Sequence, residues 1–158
     1  MISCTEFIPA YSEGFKFFEI IGGRQELEKF WSYLSGLYLK ETLSKEVAEE
    51  GLEGCYTYWS RSLNEEAADF KMELDEIKGE FSIDMIKCPS KGMLNELTYM
   101  EPYHAYCDHC PALYRHILEQ QGYRYDEDLS NCDKAKCFIK ISVKNEKRLL
   151  SSVGNPYR

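Results

Sequence analysis

The sequence lacks any apolar run of the roughly 18–20 residues that a membrane-spanning helix requires. Basic residues are in the minority, with 19 Lys and Arg against 27 Asp and Glu and a formal net charge of −8. Proteins that bind the phosphate backbone use clustered Lys and Arg, so this balance argues against a general nucleic-acid-binding function. We therefore expect neither a membrane-spanning segment nor a nucleic-acid partner.

We expect neither a signal peptide nor a division of the chain into separate domains. Residues Met1 to Glu6 contain neither the basic start nor the apolar core of a signal peptide, which favours a cytoplasmic location. No repeat, low-complexity tract or Pro/Gly-rich linker divides the 158 residues, a length typical of one domain. We expect a single domain over 1–158, mainly helical over 1–68 and mixed over 69–144, with a loose tail over 145–158.

The hydrophobic pattern changes near residue 70. Before it, apolar residues recur at intervals of three and four, which predicts helices over 6–21, 24–41 and 44–51 and from Glu53 onward, the first ended by Gly22-Gly23. After it, alternation predicts two strand pairs, 70–74 with 81–85 and 123–129 with 137–144. Two helices, 90–97 and 104–121, are predicted between the pairs. This order predicts an α+β fold, with N-terminal helices followed by a four-stranded antiparallel sheet made of two hairpins separated by a helix pair.

Cysteine is plentiful and concentrated in one part of the chain. Five of the seven cysteines and all three histidines lie within 88–137. Cys107 and Cys110 form a CxxC pair at the start of a predicted helix, and Cys132 and Cys137 flank a predicted turn between strands. Four thiolates on two such pairs can bind zinc tetrahedrally, so we predict a zinc site. Reactive thiols without metal and inert buried thiols are the alternatives.

Three further residues are candidates for catalysis. His104 precedes Cys107 by three residues and Asp108 by four, so a helix over 104–121 would place these side chains on one face. His109 would lie on a different face. Cys88 offers a separate thiol, either as a nucleophile or as a replacement for one of the four metal ligands. The candidate catalytic residues are therefore Cys88, His104 and Asp108.

An acidic segment joins the fourth predicted helix to the first predicted strand. It contains Glu65, Glu66 and Asp69. Acids at the C-terminal end of a helix oppose the helix dipole. A role as general base or metal ligand therefore stands beside the simpler interpretation of a solvated helix end.

The C-terminal half resembles a known enzyme family. Cys88-Pro89 before a short helix, Tyr106-Cys107-Asp108 in the next helix and Cys137-Phe138 in the last strand are similar to motifs of the L-2-amino-thiazoline-4-carboxylic acid hydrolases. The resemblance covers roughly residues 70–144. It implies a small-molecule hydrolase of a cyclic C–N bond, in which Cys88 or Cys107 attacks and His104 acts as base. The chain departs from the family pattern at Cys110 and Cys132, and it has Cys-Phe where the family has Cys-Asp-Phe.

The order of the predicted elements is similar to that of the 4-vinyl reductase ligand-binding domains. These domains bind small hydrophobic molecules, and some carry zinc held by cysteines and an acid near the final hairpin. The similarity implies an alternative function, a non-catalytic, zinc-stabilised domain that binds or senses a small ligand. We then expect aromatic residues to line a cavity between the helices and the sheet, drawn from Phe18, Phe30, Trp31, Tyr56, Trp59 and Tyr106.

Overall fold

The computed structural model describes residues 4–144, with side chains from residue 6 onward. The helices are α1 (Cys4–Leu34), α2 (Leu43–Glu50), α3 (Leu52–Glu65), α4 (Pro89–Glu96) and α5 (His109–Gln120). A π-helical turn (Ser35–Leu39) follows α1, and two 3-10 turns lie at Tyr106–Asp108 and Cys132–Lys134. The strands are β1 (Asp69–Asp75), β2 (Glu80–Lys87), β3 (Tyr123–Asp128) and β4 (Cys137–Val143). The predicted tail over 145–158 lies outside the described residues.

The strands form one antiparallel sheet in the order β1-β2-β4-β3. Each hairpin pairs its own two strands, and the hairpins join through β2 and β4, where Ile83 lies opposite Ile139. The predicted α+β fold, with two hairpins separated by a helix pair, is confirmed. No helix within residues 4–144 is both long enough and apolar enough to cross a membrane.

Helix α1 is interrupted at Gly23, as the Gly22-Gly23 pair predicts. Gly23 adopts φ 70° and ψ −176°, a backbone conformation outside the helical region that glycine enters without steric cost. The two halves of α1 pack against each other beyond this interruption. The Phe15 ring meets Trp31 edge to face with 5.3 Å between ring centroids, and Phe18 stacks on Phe30 at 4.4 Å. These aromatic residues therefore fill a helix–helix contact.

The main core lies between one face of the sheet and helices α2, α3 and α5. The inward side chains of β2 and β4, including Phe81 and Ile141, are fully buried. Trp59 of α3 stacks on Phe81 with 5.9 Å between ring centroids. Alternate residues of the central strands point to the opposite, polar face, where Phe138 remains 42% exposed. The helices thus cover one side of the sheet, and the site described below lies at one end of that layer.

A second core holds the segment between α4 and α5 against α1. It contains Phe15, Leu27, Trp31, Leu94, Tyr103 and Tyr106, all buried. Ser12, fully buried on α1, accepts a hydrogen bond from the Tyr103 backbone N–H at 2.7 Å. Since this bond joins residues 91 positions apart, it fixes the segment that enters the 3-10 turn at Tyr106–Asp108.

Candidate functional site

Five cysteines surround a small void at the end of the sheet. Cys88 follows β2, Cys107 lies in the first 3-10 turn, and Cys110 lies in the first turn of α5. Cys132 lies in the second 3-10 turn and Cys137 opens β4. The void has a volume of about 30 Å³, and we call it the thiol void. The structure therefore brings together the four predicted metal ligands and the predicted nucleophile Cys88.

The pairing of β2 with β4 explains part of this convergence. Cys137 lies beside Met85 in the strand register, three residues before Cys88. The Cys88 backbone N–H donates to the Ala135 carbonyl at 2.8 Å, which fixes the end of β2 against the turn before β4. Cys88 also caps α4, because its sulfur accepts a hydrogen bond from the Lys91 N–H at 3.5 Å. Pro89 then opens the helix.

Burial keeps four of these thiols, those of Cys88, Cys107, Cys110 and Cys137, protonated in the protein without metal. It raises the pKa of Cys107 to about 12, with a further contribution from Cys132, to which Cys107 is hydrogen-bonded. Burial likewise raises the pKa of Cys137 to about 12, and Glu127 adds to the effect. Burial is also the main cause that raises the pKa of Cys88, and it raises that of the half-buried Cys110 well above its ordinary value. Since the thiolate is the nucleophilic form, these shifts disfavour direct attack by any of the four.

His109 lies on the wall of the thiol void, although the sequence predicted that it would turn away. Its Nδ1 hydrogen-bonds the Tyr106 carbonyl, which can only accept, so Nδ1 carries the proton. In the neutral ring Nε2 is then an acceptor, and it faces the Cys110 sulfur at 3.6 Å. Burial lowers the pKa of His109 and so favours this neutral form. The pair is best described as a thiol beside a neutral imidazole.

Glu127 is a second functional candidate that the sequence reasoning missed. It lines the thiol void from β3, and its Oε2 accepts a hydrogen bond from the Tyr125 hydroxyl at 3.1 Å. Its Oε1 is buried without a hydrogen-bond partner among the described residues. Burial raises the pKa of Glu127 to about 7. The alternation of side chains along β3 could have identified Glu127, because Glu127 shares the inward face of the strand with Tyr123 and Tyr125.

Two predicted catalytic residues lie away from the void. His104 is exposed and packs on the Tyr103 ring with 4.6 Å between ring centroids. Asp108 pairs with Arg24 of α1 at 3.0 Å. The predicted common helical face does not form, because α5 begins only at His109. Pro111 explains this start, since proline is tolerated in the first turn of a helix but not in its interior.

A larger cavity adjoins the thiol void. It has a volume of about 720 Å³ and lies among both halves of α1, the π-helical turn, the end of α3, and helices α4 and α5. Ten of its lining residues are apolar or aromatic: Phe7, Ile8, Tyr11, Leu34, Tyr38, Leu39, Pro89, Met93, Tyr106 and Leu113. The other four are Glu65, Glu66, Ser90 and His109. We call this space the apolar cavity, and it shares Tyr106 and His109 with the thiol void.

The apolar cavity differs from the aromatic cavity predicted from the sequence. Of the six aromatic residues expected to line it, only Tyr106 does so. Trp31 and Phe18 pack within α1, and Trp59 packs on the sheet. The walls come instead from aliphatic and aromatic residues at the start of α1 and around the π-helical turn. Glu65 and Glu66 of the predicted acidic segment line this cavity, whereas Asp69 does not.

The residues around the thiol void have the donor atoms of a zinc site but not its geometry. Within residues 4–144, no three His, Cys, Asp or Glu side chains are arranged to hold a metal ion as they stand. The chemistry of the donors nevertheless suits zinc, which cysteine thiolates bind in closed tetrahedral sites. Glu127, whose Oε1 has no hydrogen-bond partner among the described residues, lines the same void. The residues present therefore fit zinc by donor type, and binding would require the cysteine side chains to adopt new rotamers.

Comparison with known proteins adds no relative. No family model matches the chain, and no curated protein and no solved structure shows significant similarity to it. The resemblance to the amino-thiazoline carboxylic acid hydrolases and the similarity to the 4-vinyl reductase domains therefore stay predictions.

Proposed function

We propose that this protein is a binding domain for a small, mainly apolar molecule, with zinc held by cysteines at the base of the binding site. The observation that carries this proposal is the position of the apolar cavity directly beside the thiol void. Tyr106 and His109 form part of both walls. A cavity of about 720 Å³ falls within the range of about 300–1,000 Å³ typical of small-molecule sites.

Zinc in this proposal stabilises the protein and takes no part in chemistry. Cys107, Cys110, Cys132 and Cys137 would hold it, as the sequence predicts, and Cys88 is a fifth thiol on the same void. Four thiolates leave no open position for a substrate, which is the arrangement of structural zinc sites. Zinc would lock together the first 3-10 turn, α5 and the β3–β4 connection, and so fix one wall of the apolar cavity.

The hydrolase of a cyclic C–N bond is the second candidate. One observation favours it: the Cys110 sulfur and His109 Nε2 are 3.6 Å apart, beside the apolar cavity. In this version His109 replaces His104 as the base and Cys110 replaces Cys88 as the nucleophile. The high pKa of Cys110 makes this candidate the weaker one. Ring opening of an aminothiazoline acid, lost in Cys110→Ser, would favour it over pure binding.

Ligand binding is tested with Nile red, a neutral dye that fluoresces in apolar surroundings. We expect enhanced fluorescence with the wild-type protein and loss of the enhancement in Met93→Trp, because Met93 lines the apolar cavity and the larger indole fills it. Met100→Trp is the matched control, since Met100 is equally half-buried but lies outside that cavity. Equal fluorescence with both variants would contradict binding in the cavity.

Zinc binding is tested separately by elemental analysis of protein refolded with zinc under reducing conditions. We expect close to one equivalent for the wild-type chain and a large loss in the Cys107→Ser/Cys132→Ser double variant. Cys55→Ser is the control, because Cys55 is fully buried in the main core away from the void. A wild-type content below about one-tenth of an equivalent would refute the zinc site.

A further inference from the structure

Two carboxylates without a basic partner stand at the opening of the apolar cavity. Glu65 is the last residue of α3 and Glu66 follows it, and both line the cavity while remaining exposed. Within the described residues, neither side chain forms an ion pair or a hydrogen bond. The nearby Arg61 attracts Glu65 only through space, because its guanidinium pairs directly with Glu46 at 2.6 Å. The opening is therefore negatively charged.

The interior of the cavity does not neutralise this charge. None of the described residues that line it is Lys or Arg. Partial burial and the neighbouring Glu65 raise the pKa of Glu66, as expected for a carboxylate that lacks a compensating cation.

Two adjacent carboxylates of this kind destabilise the protein when no ligand is bound. Glu65 and Glu66 repel each other, and they lie at the C-terminal end of α3, where the helix dipole is also negative. A cation placed between the two carboxylates offsets both their mutual repulsion and their unfavourable interaction with the helix dipole. The rest of the cavity surface is almost entirely apolar, so the remainder of the same molecule must be apolar.

We infer that the ligand of the apolar cavity is an amphipathic amine, whose ammonium group lies between Glu65 and Glu66 and whose apolar body fills the space toward Tyr106. The inference rests on the proposed binding function and specifies its ligand class. It excludes fatty acids and other carboxylates of the same size, because a third negative charge at the opening would be repelled.

Three probes of equal chain length test the inference: decylamine, decanol and decanoate, each below its micelle-forming concentration and each competing with Nile red. We expect decylamine to bind about tenfold more tightly than decanol, as for a cation beside two surface carboxylates, and decanoate to bind least. In Glu65→Gln/Glu66→Gln, amine and alcohol should bind alike, with the affinity for decanol unchanged. Glu53→Gln, an exposed site on the same helix outside the cavity, should keep the preference for the amine.

The outcomes separate this inference from the binding function. Equal affinity of the wild-type protein for decylamine and decanol overturns the amine assignment and leaves the binding function in place. A preference for decylamine that survives in the double variant overturns the role of Glu65 and Glu66. Failure of all three probes to displace Nile red overturns both the inference and the proposed function.

Discussion

Replacement of Glu127 by glutamine should make the metal-free protein more stable at neutral and alkaline pH. Glu127 lies half-buried beside the thiol void, and one of its oxygens has no hydrogen-bond partner among the described residues. Burial raises its pKa from 4.5 to about 7. The ionised carboxylate of Glu127 therefore destabilises the folded state. A glutamine side chain has the same shape without the charge and so avoids this destabilisation.

The magnitude follows from the two pKa values. The unfolded chain releases this proton near pH 4.5 and the folded protein near pH 7. Between these values the folded state binds more protons, so the free energy of unfolding falls as pH rises. At about 1.4 kcal/mol for each pH unit, the full loss is about 3 kcal/mol above pH 7 and close to zero below pH 4.5. Glu127→Gln should therefore match the wild-type protein at pH 4 and exceed its stability by up to about 3 kcal/mol at pH 8.

Urea denaturation, followed by the fluorescence of Trp31 and Trp59, measures this difference in buffers with EDTA and a thiol reductant. Glu53→Gln is the control, because Glu53 is exposed on α3 and far from the thiol void. The free energy of unfolding of Glu53→Gln should change with pH in the same way as that of the wild-type protein. A difference between Glu127→Gln and wild type that stays constant from pH 4 to pH 8 would refute the burial argument.

Two further predictions concern the scaffold of the site, and both are measured by urea denaturation. Gly54→Ala should cost about 2–3 kcal/mol, because a Cβ at this position would lie 2.3 Å from the Glu46 carbonyl oxygen and force α2 and α3 apart. Gly14→Ala, with no atom within 4 Å of the new Cβ, should gain about 0.5–1 kcal/mol from helix propensity; equal effects of the two substitutions would contradict the close approach. Ser12→Ala should cost about 1–3 kcal/mol by leaving the Tyr103 N–H buried and unpaired, and a neutral effect would mean that this bond does not anchor the segment.

The fold was largely predictable because local patterns determine its elements. The alternation of Phe81, Ile83 and Met85 marks an inward strand face, and the structure buries all three. Gly23 interrupts α1 where the Gly22-Gly23 pair indicated. The predicted start of α5 at residue 104 was wrong, even though the sequence contained a signal for the observed start at His109. Pro111 excludes a helix that begins at His104, and giving it weight would have placed His109 near the helix start.

The site was harder to predict because its residues converge through non-local contacts. The sequence showed that cysteines are numerous and close together in this part of the chain. Only the pairing of β2 with β4, in which Cys137 lies opposite Met85, brings Cys88 to the same void as Cys137. Glu127 joins them because β3 pairs with β4 on the other side. The apolar cavity depends on how the two halves of α1 pack against α4 and α5, which no local periodicity specifies. Trp31 and Trp59, chosen as cavity-lining residues for their aromatic character, therefore proved to be core.

The β2–β4 pairing also has a consequence for how the protein folds. Each hairpin forms between neighbouring parts of the chain, whereas β2 and β4 bring together residues such as Met85 and Cys137 that are far apart in sequence. Such distant pairings form late and slowly, because their loop entropy is paid before their contacts are gained. Cys88 belongs to the first hairpin, and Cys132 and Cys137 to the second. Cys88 therefore meets Cys137 only when the two hairpins dock, so the thiol void is completed late in folding.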